Sequence, residues 1–365
     1  MADLVRPAPR VLWADLAKGV GIVLVVFGHV LRGLNDGVTM SWTPITQFID
    51  AWIYAFHMPL FFFLSGLFLF RSTSKSWRDF ACDKLRTLVY PYFVWSVVTL
   101  IIKTALGKMT HHPYDLFDVP LLLYRPIDQF WFLYVLFLLL IVSFTALKLG
   151  VRPWAIFILT VVIYQGWLPI SFDSWGILIE TKNMAIYLAL GFLFGSESNL
   201  RAISGVPISW LVVGASGLIF CSLAGWSGLP DLYLLQPTLG VSGIVGVAAL
   251  AILAERTKLG SAVQFLGRYS LEIYLLHTIA SAGVRITLNQ LGYVSAVAPH
   301  LVLGTLMGLS FPIVVAQAFK QFGLQFAFTL PRGPGLRLAG KSAIAGSNLQ
   351  PGAAPASTGG PPARS

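Results

Sequence analysis

Lys18 and His29 stand eleven residues apart within the apolar stretch Leu16–Leu34. That spacing is about three turns of an α-helix, so both side chains fall on nearly one face. Imidazole is the side chain best matched to taking a proton near neutral pH. A lysine ammonium is a point charge suited to anionic groups. The rise between the two positions is about 16 Å, which places them at different depths. Asp15, three residues before Lys18, and Arg32, three after His29, extend the stripe at both ends. Between them Gly19, Gly21 and Gly28 leave room for close packing or for a ligand. An ionisable side chain in an apolar helix is costly unless it is paired or faces a cavity, so this set needs a reason.

Other polar residues interrupt apolar runs in the same way. His57 sits in Phe56-His57-Met58-Pro59, at a depth close to that of His29 if the second helix starts near Ile49, and Ser65-Gly66 follow deeper. Glu272, His277 and Arg285 share the run 270–290, with His277 in its inner half. Lys84 and Arg86 precede Tyr90-Pro91-Tyr92 at the mouth of another run, where an anionic cofactor could meet them. Plainer readings stand beside these. Lys18 can snorkel at an interface, His57 can be interfacial and Lys84 and Arg86 can be topology markers. His277 can hydrogen-bond a neighbouring helix. His29, inside Val23-Leu24-Val25-Val26-Phe27-Gly28, fits no such reading as well.

The elements that must position these residues are membrane helices. Of 365 residues, 56% are hydrophobic and 11% charged, against about 25% charged in soluble domains. The chain is expected to be an all-α integral membrane protein, a bundle of about ten transmembrane helices with both termini cytoplasmic. The expected spans are 14–34, 49–70, 88–106, 129–148, 153–170, 184–196, 207–225, 237–254, 270–290 and 297–320. The sixth is short, and either extends back through Glu180 or is re-entrant. With the N-terminus inside, 19 of the 25 basic residues fall on the cytoplasmic side. This topology accounts for the net charge of +10 and leaves no case for nucleic acid as a partner. Residues 1–13 form a cytoplasmic segment, 14–321 the transmembrane domain and 322–365 a cytoplasmic tail, disordered from about 331 by its Gly, Pro, Ala and Ser content. The outer segment 107–128 carries His111, His112, Asp115, Asp118, Arg125 and Asp128. Cys82 and Cys221 suggest neither a disulfide framework nor a metal site. The first apolar run does not read as a cleavable signal, and no internal repeat is visible.

Several blocks resemble the membrane-bound acyltransferase-3 family, nearest its fucose 4-O-acetylase-like group. Leu16-Ala17-Lys18-Gly19 through Phe27-Gly28-His29 matches the family's opening, a basic residue followed after ten others by histidine. Phe56-His57-Met58-Pro59 through Ser65-Gly66 is similar to its second helix. Phe130-Trp131-Phe132-Leu133 and Tyr269-Ser270-Leu271-Glu272 through His277 are similar to its fourth and ninth. The blocks occur in family order. The family's basic residue is more often arginine, so lysine at 18 departs from the pattern.

The resemblance implies O-acyl transfer, usually of acetyl, from a cytoplasmic acyl-CoA to a sugar or polysaccharide hydroxyl, with no metal. It implies His29 and His57 as catalytic residues, His29 acting as general base or acyl carrier. Lys18, Lys84 and Arg86 would hold the cofactor phosphates. Asp15, Arg32, Ser65, Trp131, Glu272 and His277 are further candidates, Trp131 either stacking on a sugar or standing in an interfacial belt. The bacterial inner membrane is the expected location, with the bilayer and polysaccharide-synthesis machinery as partners. A transporter or export component for glycans or small metabolites is the competing class, and a scaffold without a site is a third.

Overall fold

The computed structural model describes residues 11–35, 39–107, 116–167, 175–226, 236–255, 257 and 259–331. His111, His112, Asp115, Asp173 and the tail from Arg332 lie outside them. The described residues form helices and no strand. Two central helices, α1 (Leu12–Asn35) and α2 (Pro44–Leu69), run antiparallel. Their register is readable from contacts: Lys18 lies over Phe68, Gly21 against Phe61, Gly28 against Tyr54, and Arg32 beside Asp50. Thr43 caps α2 with a reciprocal capping box and Pro44 opens its first turn, so α2 begins five residues before the expected start.

Each expected span corresponds to a helix. The others are α4 (Tyr90–Leu106), α5 (Trp131–Lys148), α6 (Pro153–Tyr164), α7 (Gly176–Leu193), α9 (Ile208–Trp226), α10 (Gln236–Glu255), α12 (Ser270–Gln290) and α13 (Val297–Gln321). Short helices α3 (Trp77–Lys84), α8 (Glu197–Ser204) and α11 (Leu259–Arg268) were not anticipated. Among the described residues seven helical stretches are long and apolar enough to cross a bilayer, and eight if α8 and the helix that follows it, which meet at 94°, form one span. At 12 residues α6 is shorter than its expected span; it reaches about 18 Å, less than a hydrocarbon core of about 30 Å. α7 starts at Gly176, so the sixth span does extend back through Glu180. Val142, Ile158, Val212, Leu306 and Val314 stand exposed on the outside, as apolar surface in a lipid solvent should. The chain is a multi-pass membrane protein.

Glycines set how closely the central helices approach their neighbours. A Cβ at Gly19 would meet the Val263 carbonyl of α11 at 2.0 Å, and one at Gly267 would meet the Asp15 carbonyl at 1.9 Å. Gly66 of α2 and Gly191 of α7 touch backbone to backbone in the same manner. The glycines of α1 therefore serve packing, Gly19 on α11 and Gly21 and Gly28 on α2. α12 runs parallel to α1, and α13 returns antiparallel to both.

At the cytoplasmic end expected from sequence, a π-helical turn, Leu85–Val89, precedes Pro91 at the start of α4. Proline cannot donate to the preceding turn, so the widened turn fits there. Residues that follow α13 dock onto α4 and this turn: Trp95 of α4 donates to the Ala327 carbonyl and Arg86 of the turn to the Leu330 carbonyl.

Candidate active site

A cavity of ≈ 840 Å³ opens at the end of the bundle where α1 finishes. Its wall takes His29 and Arg32 from α1, Tyr54 and His57 from α2, and Lys103 from α4. Asp128 and Gln129 come from the 3₁₀ turn Asp128–Phe130 and Trp131 from the first residue of α5, Glu180 from α7, Tyr274, Thr278 and Arg285 from α12, and His300 from α13. The volume is within the range of small-molecule sites, about 300–1,000 Å³.

His29 and His57 stand on this wall, His277 lies behind it against His29, and each of the three is held the same way. His29 Nδ1 donates to the Val25 carbonyl at 2.9 Å, and His57 Nδ1 to the Ile53 carbonyl at 2.8 Å. His277 Nδ1 donates to the Ile273 and Tyr274 carbonyls at 3.0 and 2.8 Å. A carbonyl only accepts, so the proton of each neutral ring sits on Nδ1 and the lone pair on Nε2. The His29 and His277 rings are 5.0 Å apart at 83°, and Tyr54 lies 4.5 Å from His57 and 6.3 Å from His29. His57 and His277 are fully buried and His29 partly so, which suits a group that meets a ligand. Pro59 lies inside α2 and lines the cavity beside Met58.

His277 stands beside His29, not below it as the sequence suggested. α11 occupies the level of Gly19 against α1, so α12 enters above it and brings His277 to the histidine cluster. Its Nε2 is buried without a hydrogen-bond partner.

Two ion pairs stand at the cavity. Arg32 binds Asp50 through two bonds of 2.7 and 2.8 Å, and its guanidinium covers the Tyr54 ring. Lys103 bridges to Asp128 at 2.5 Å. Asp128 itself has φ +44°, a left-handed conformation that aspartate tolerates better than most side chains. Gln129 donates to Thr278 at 2.9 Å, and its own carbonyl accepts from the Tyr274 hydroxyl. Trp131 stacks on Phe62 at 6.4 Å and forms part of the wall.

Sequence reasoning passed over Asp50, Tyr54, Gln129, Thr278 and His300. Asp50, Tyr54 and His57 are four and three residues apart, one face of a helix, and that spacing was available. His300, buried at the start of α13, donates Nε2–H to the Tyr293 carbonyl.

The remaining sequence candidates lie elsewhere. Lys18 pairs with Asp15 at 3.8 Å and sits over Phe68, which Arg71 also approaches. Lys84 lies over Phe80 of its own helix, and Arg86 is bound to the Leu330 carbonyl. Ser65 donates to Phe61 within α2. Glu272, in the first turn of α12, has a buried carboxylate oxygen without a partner. The cavity wall does not include Lys18. Among the described residues no group of three or more His, Cys, Asp or Glu side chains is arranged to hold a metal ion.

A helical membrane bundle with a histidine-lined cavity at one end of its central helix pair is the setting in which the comparisons with known proteins fall. Residues 11–317 match the model of the acyltransferase-3 family, described as an acyltransferase domain, and the chain belongs to that family. It is a membrane acyltransferase, which decides against the transporter and scaffold readings. Among curated proteins it is similar to nodulation protein NolL of Mesorhizobium japonicum, 26% identical over 350 residues, covering 87% of this chain and 88% of the relative. No solved structure gives a significant match.

Proposed function

We propose that the chain is an O-acyltransferase of the bacterial inner membrane, moving acetyl from cytoplasmic acetyl-CoA to a hydroxyl of a sugar or polysaccharide. The carrying observation is His29, whose Nδ1 is committed to Val25 so that the basic Nε2 is the ring nitrogen left for the cavity. In the proposed step Nε2 takes the proton of the sugar hydroxyl as its oxygen attacks the thioester carbonyl. The tetrahedral adduct then collapses, the C–S bond breaks, and the CoA thiolate receives that proton from His29. His57 orients the acceptor with Tyr54, and His277 backs the His29 ring from outside the cavity wall. Trp131 offers its ring to the acceptor.

Lys18 is proposed to meet the cofactor phosphates, with Arg71 beside it on the Phe68 ring adding charge. Lys84 is the weaker partner, and Arg86 serves only if the Leu330 carbonyl releases it. The pantetheine arm then runs between α1 and α2, where Phe61 packs against Gly21 and the ring must swing aside. In this reading ten helices cross the membrane and both termini are cytoplasmic, with 14–321 as the catalytic domain. Asp15 tethers Lys18; Ser65 and Glu272 receive no step.

The test uses labelled acetyl-CoA with membranes carrying the full chain, read by release of CoA and by mass spectrometry of the envelope glycans. Wild type should add an acetyl mass increment to a glycan, and His29→Gln should abolish it while the protein remains in the membrane. Full activity of the variant would overturn the assignment. Label retained on the protein at a histidine would replace the general base by an acyl-enzyme.

A further inference from the structure

Beside the catalytic cavity lies a second, smaller one of ≈ 340 Å³, lined by Tyr124, Arg125, Pro126, Asp128, Trp131 and Trp175 among others. Asp128 and Trp131 belong to both walls, so the two spaces adjoin across these residues.

The segment that forms this groove is built rather than draped. After the 3₁₀ turn Leu116–Leu123 the chain continues without regular structure to Asp128. Backbone carbonyls in such a segment, at the edge of an apolar phase, need donors. Three consecutive carbonyls, the last two of the 3₁₀ turn and the first beyond it, receive them from aromatic side chains on three elements. Tyr92 of α4 donates to Leu122, Tyr134 of α5 to Leu123, and Trp175, just before α7, to Tyr124. The rings also pack edge to face, Tyr92 on Tyr134 at 5.6 Å and Tyr134 on Trp175 at 6.2 Å. An interfacial tryptophan usually presents its indole N–H to headgroups; here that N–H is taken by the Tyr124 carbonyl. Lys103 holds Asp128 from the cavity side. The Tyr124 side chain is 52% exposed and Arg125 is exposed, so both are available to a ligand.

Ring faces, guanidinium donors and a carboxylate in one small fixed groove match one chemistry, a sugar ring with its C–H faces and its hydroxyls. We propose that this groove is an acceptor subsite that binds the saccharide unit next to the one being acylated, so that the enzyme prefers an oligosaccharide to a monosaccharide. The inference rests on the sugar-acceptor reading above. Trp131 marks the boundary between the acylated unit and its neighbour, and Tyr124, Arg125 and Trp175 hold the neighbour.

The test uses the purified full chain in detergent with labelled acetyl-CoA and the cell's own envelope glycans, freed of esters by mild base. These are offered as released oligosaccharides and as the monosaccharides from their complete hydrolysis. Tyr124→Ala and Arg125→Gln leave the three carbonyl pins intact. Wild type should show a KM about tenfold lower for the oligosaccharides. Each variant should raise that KM severalfold toward the monosaccharide value, with kcat and the monosaccharide KM unchanged, as expected when uniform binding is removed. If wild type acylates oligosaccharides and the variants match it with both acceptors, the subsite is refuted and the sugar-acceptor reading stands. If the variants lose both acceptors equally, the residues serve the fold or the catalytic cavity and the subsite is again refuted. If wild type acylates neither acceptor, the sugar-acceptor reading falls and takes the subsite with it.

Discussion

At the His29 end of α1, polar side chains are held by short, directed bonds at or just behind a cavity wall: His29 and His57 fixed through Nδ1 with His277 behind them, Arg32 gripped twice by Asp50, Lys103 against Asp128. At the Lys18 end the cations have looser company. Lys18 lies 3.8 Å from Asp15 and over Phe68, Lys84 over its own Phe80, and Arg86 on a tail carbonyl. Burial accounts for the histidines: His57 and His277, removed from water, need committed partners. It does not separate the cations, since Arg32 is 42% exposed and Lys18 30%; Arg32 is fixed because Asp50 offers both carboxylate oxygens to its guanidinium fork, where the Lys18 ammonium is a point charge that can trade partners. The proposed reaction accordingly puts the chemistry that requires fixed geometry at the first end, and capture of a mobile, charged cofactor at the second.

The comparison breaks most easily at His29. Loss of a general base costs about 10²–10⁴ in rate, so His29→Gln should lower kcat for acetyl transfer by at least about a hundredfold. His57→Gln should fall by less, since an orienting group is not the proton acceptor. Turnover of labelled acetyl-CoA in membranes measures both, and a reversed order would exchange their roles.

Next is the Arg32–Asp50 clamp. Hydrogen bonds to charged groups contribute about 1.5–3 kcal/mol, less where the pair is as open as Arg32 at 42% exposure, so Asp50→Asn should reduce kcat/KM by up to about tenfold. If Arg32 works through this clamp, Arg32→Ala with Asp50→Ala should cost less than the two single losses combined. Strict additivity in that cycle would show the two acting separately.

How much of this was legible follows from what each feature depends on. The shared face of Lys18 and His29 is local helical geometry, and contacts with α2 from Phe68 to Tyr54 bear it out. The Asp50, Tyr54 and His57 face was equally local, but starting the helix at Ile49 left Asp50 looking like an end residue; Thr43 and Pro44 were the missed signal. The level of His277 was not legible, because it is set by α11 wedging against Gly19. Gln129 with Thr278, 149 positions apart, and Lys103 with Asp128 join elements that no periodicity connects.

That wedge carries the third prediction. With a Cβ at Gly267 only 1.9 Å from the Asp15 carbonyl, Gly267→Ala must push α11 off α1, while at Gly283 a Cβ meets nothing within 4 Å. Overpacking typically costs about 1–3 kcal/mol, so Gly267→Ala should lower the melting temperature in detergent, while Gly283→Ala, which removes a mid-helix glycine without a clash, should leave it the same or slightly higher. Equal melting of the two would mean that α11 is not the spacer that lifts α12.

The smallest effects belong to the Lys18 end, where solvent-accessible charges are worth about 0–1 kcal/mol each. Lys18→Ala should raise KM for acetyl-CoA severalfold without changing kcat, and Lys84→Ala should raise it less, because Lys84 is already turned onto Phe80 and beside Asp83. Lys18→Arg sharpens the contrast. A planar guanidinium grips a phosphate through two bonds where an ammonium offers a point charge, so this variant should lower KM for acetyl-CoA. If it instead lowers kcat, Lys18 acts on the reacting end, and the separation of the two ends of α1 into capture and chemistry would be wrong.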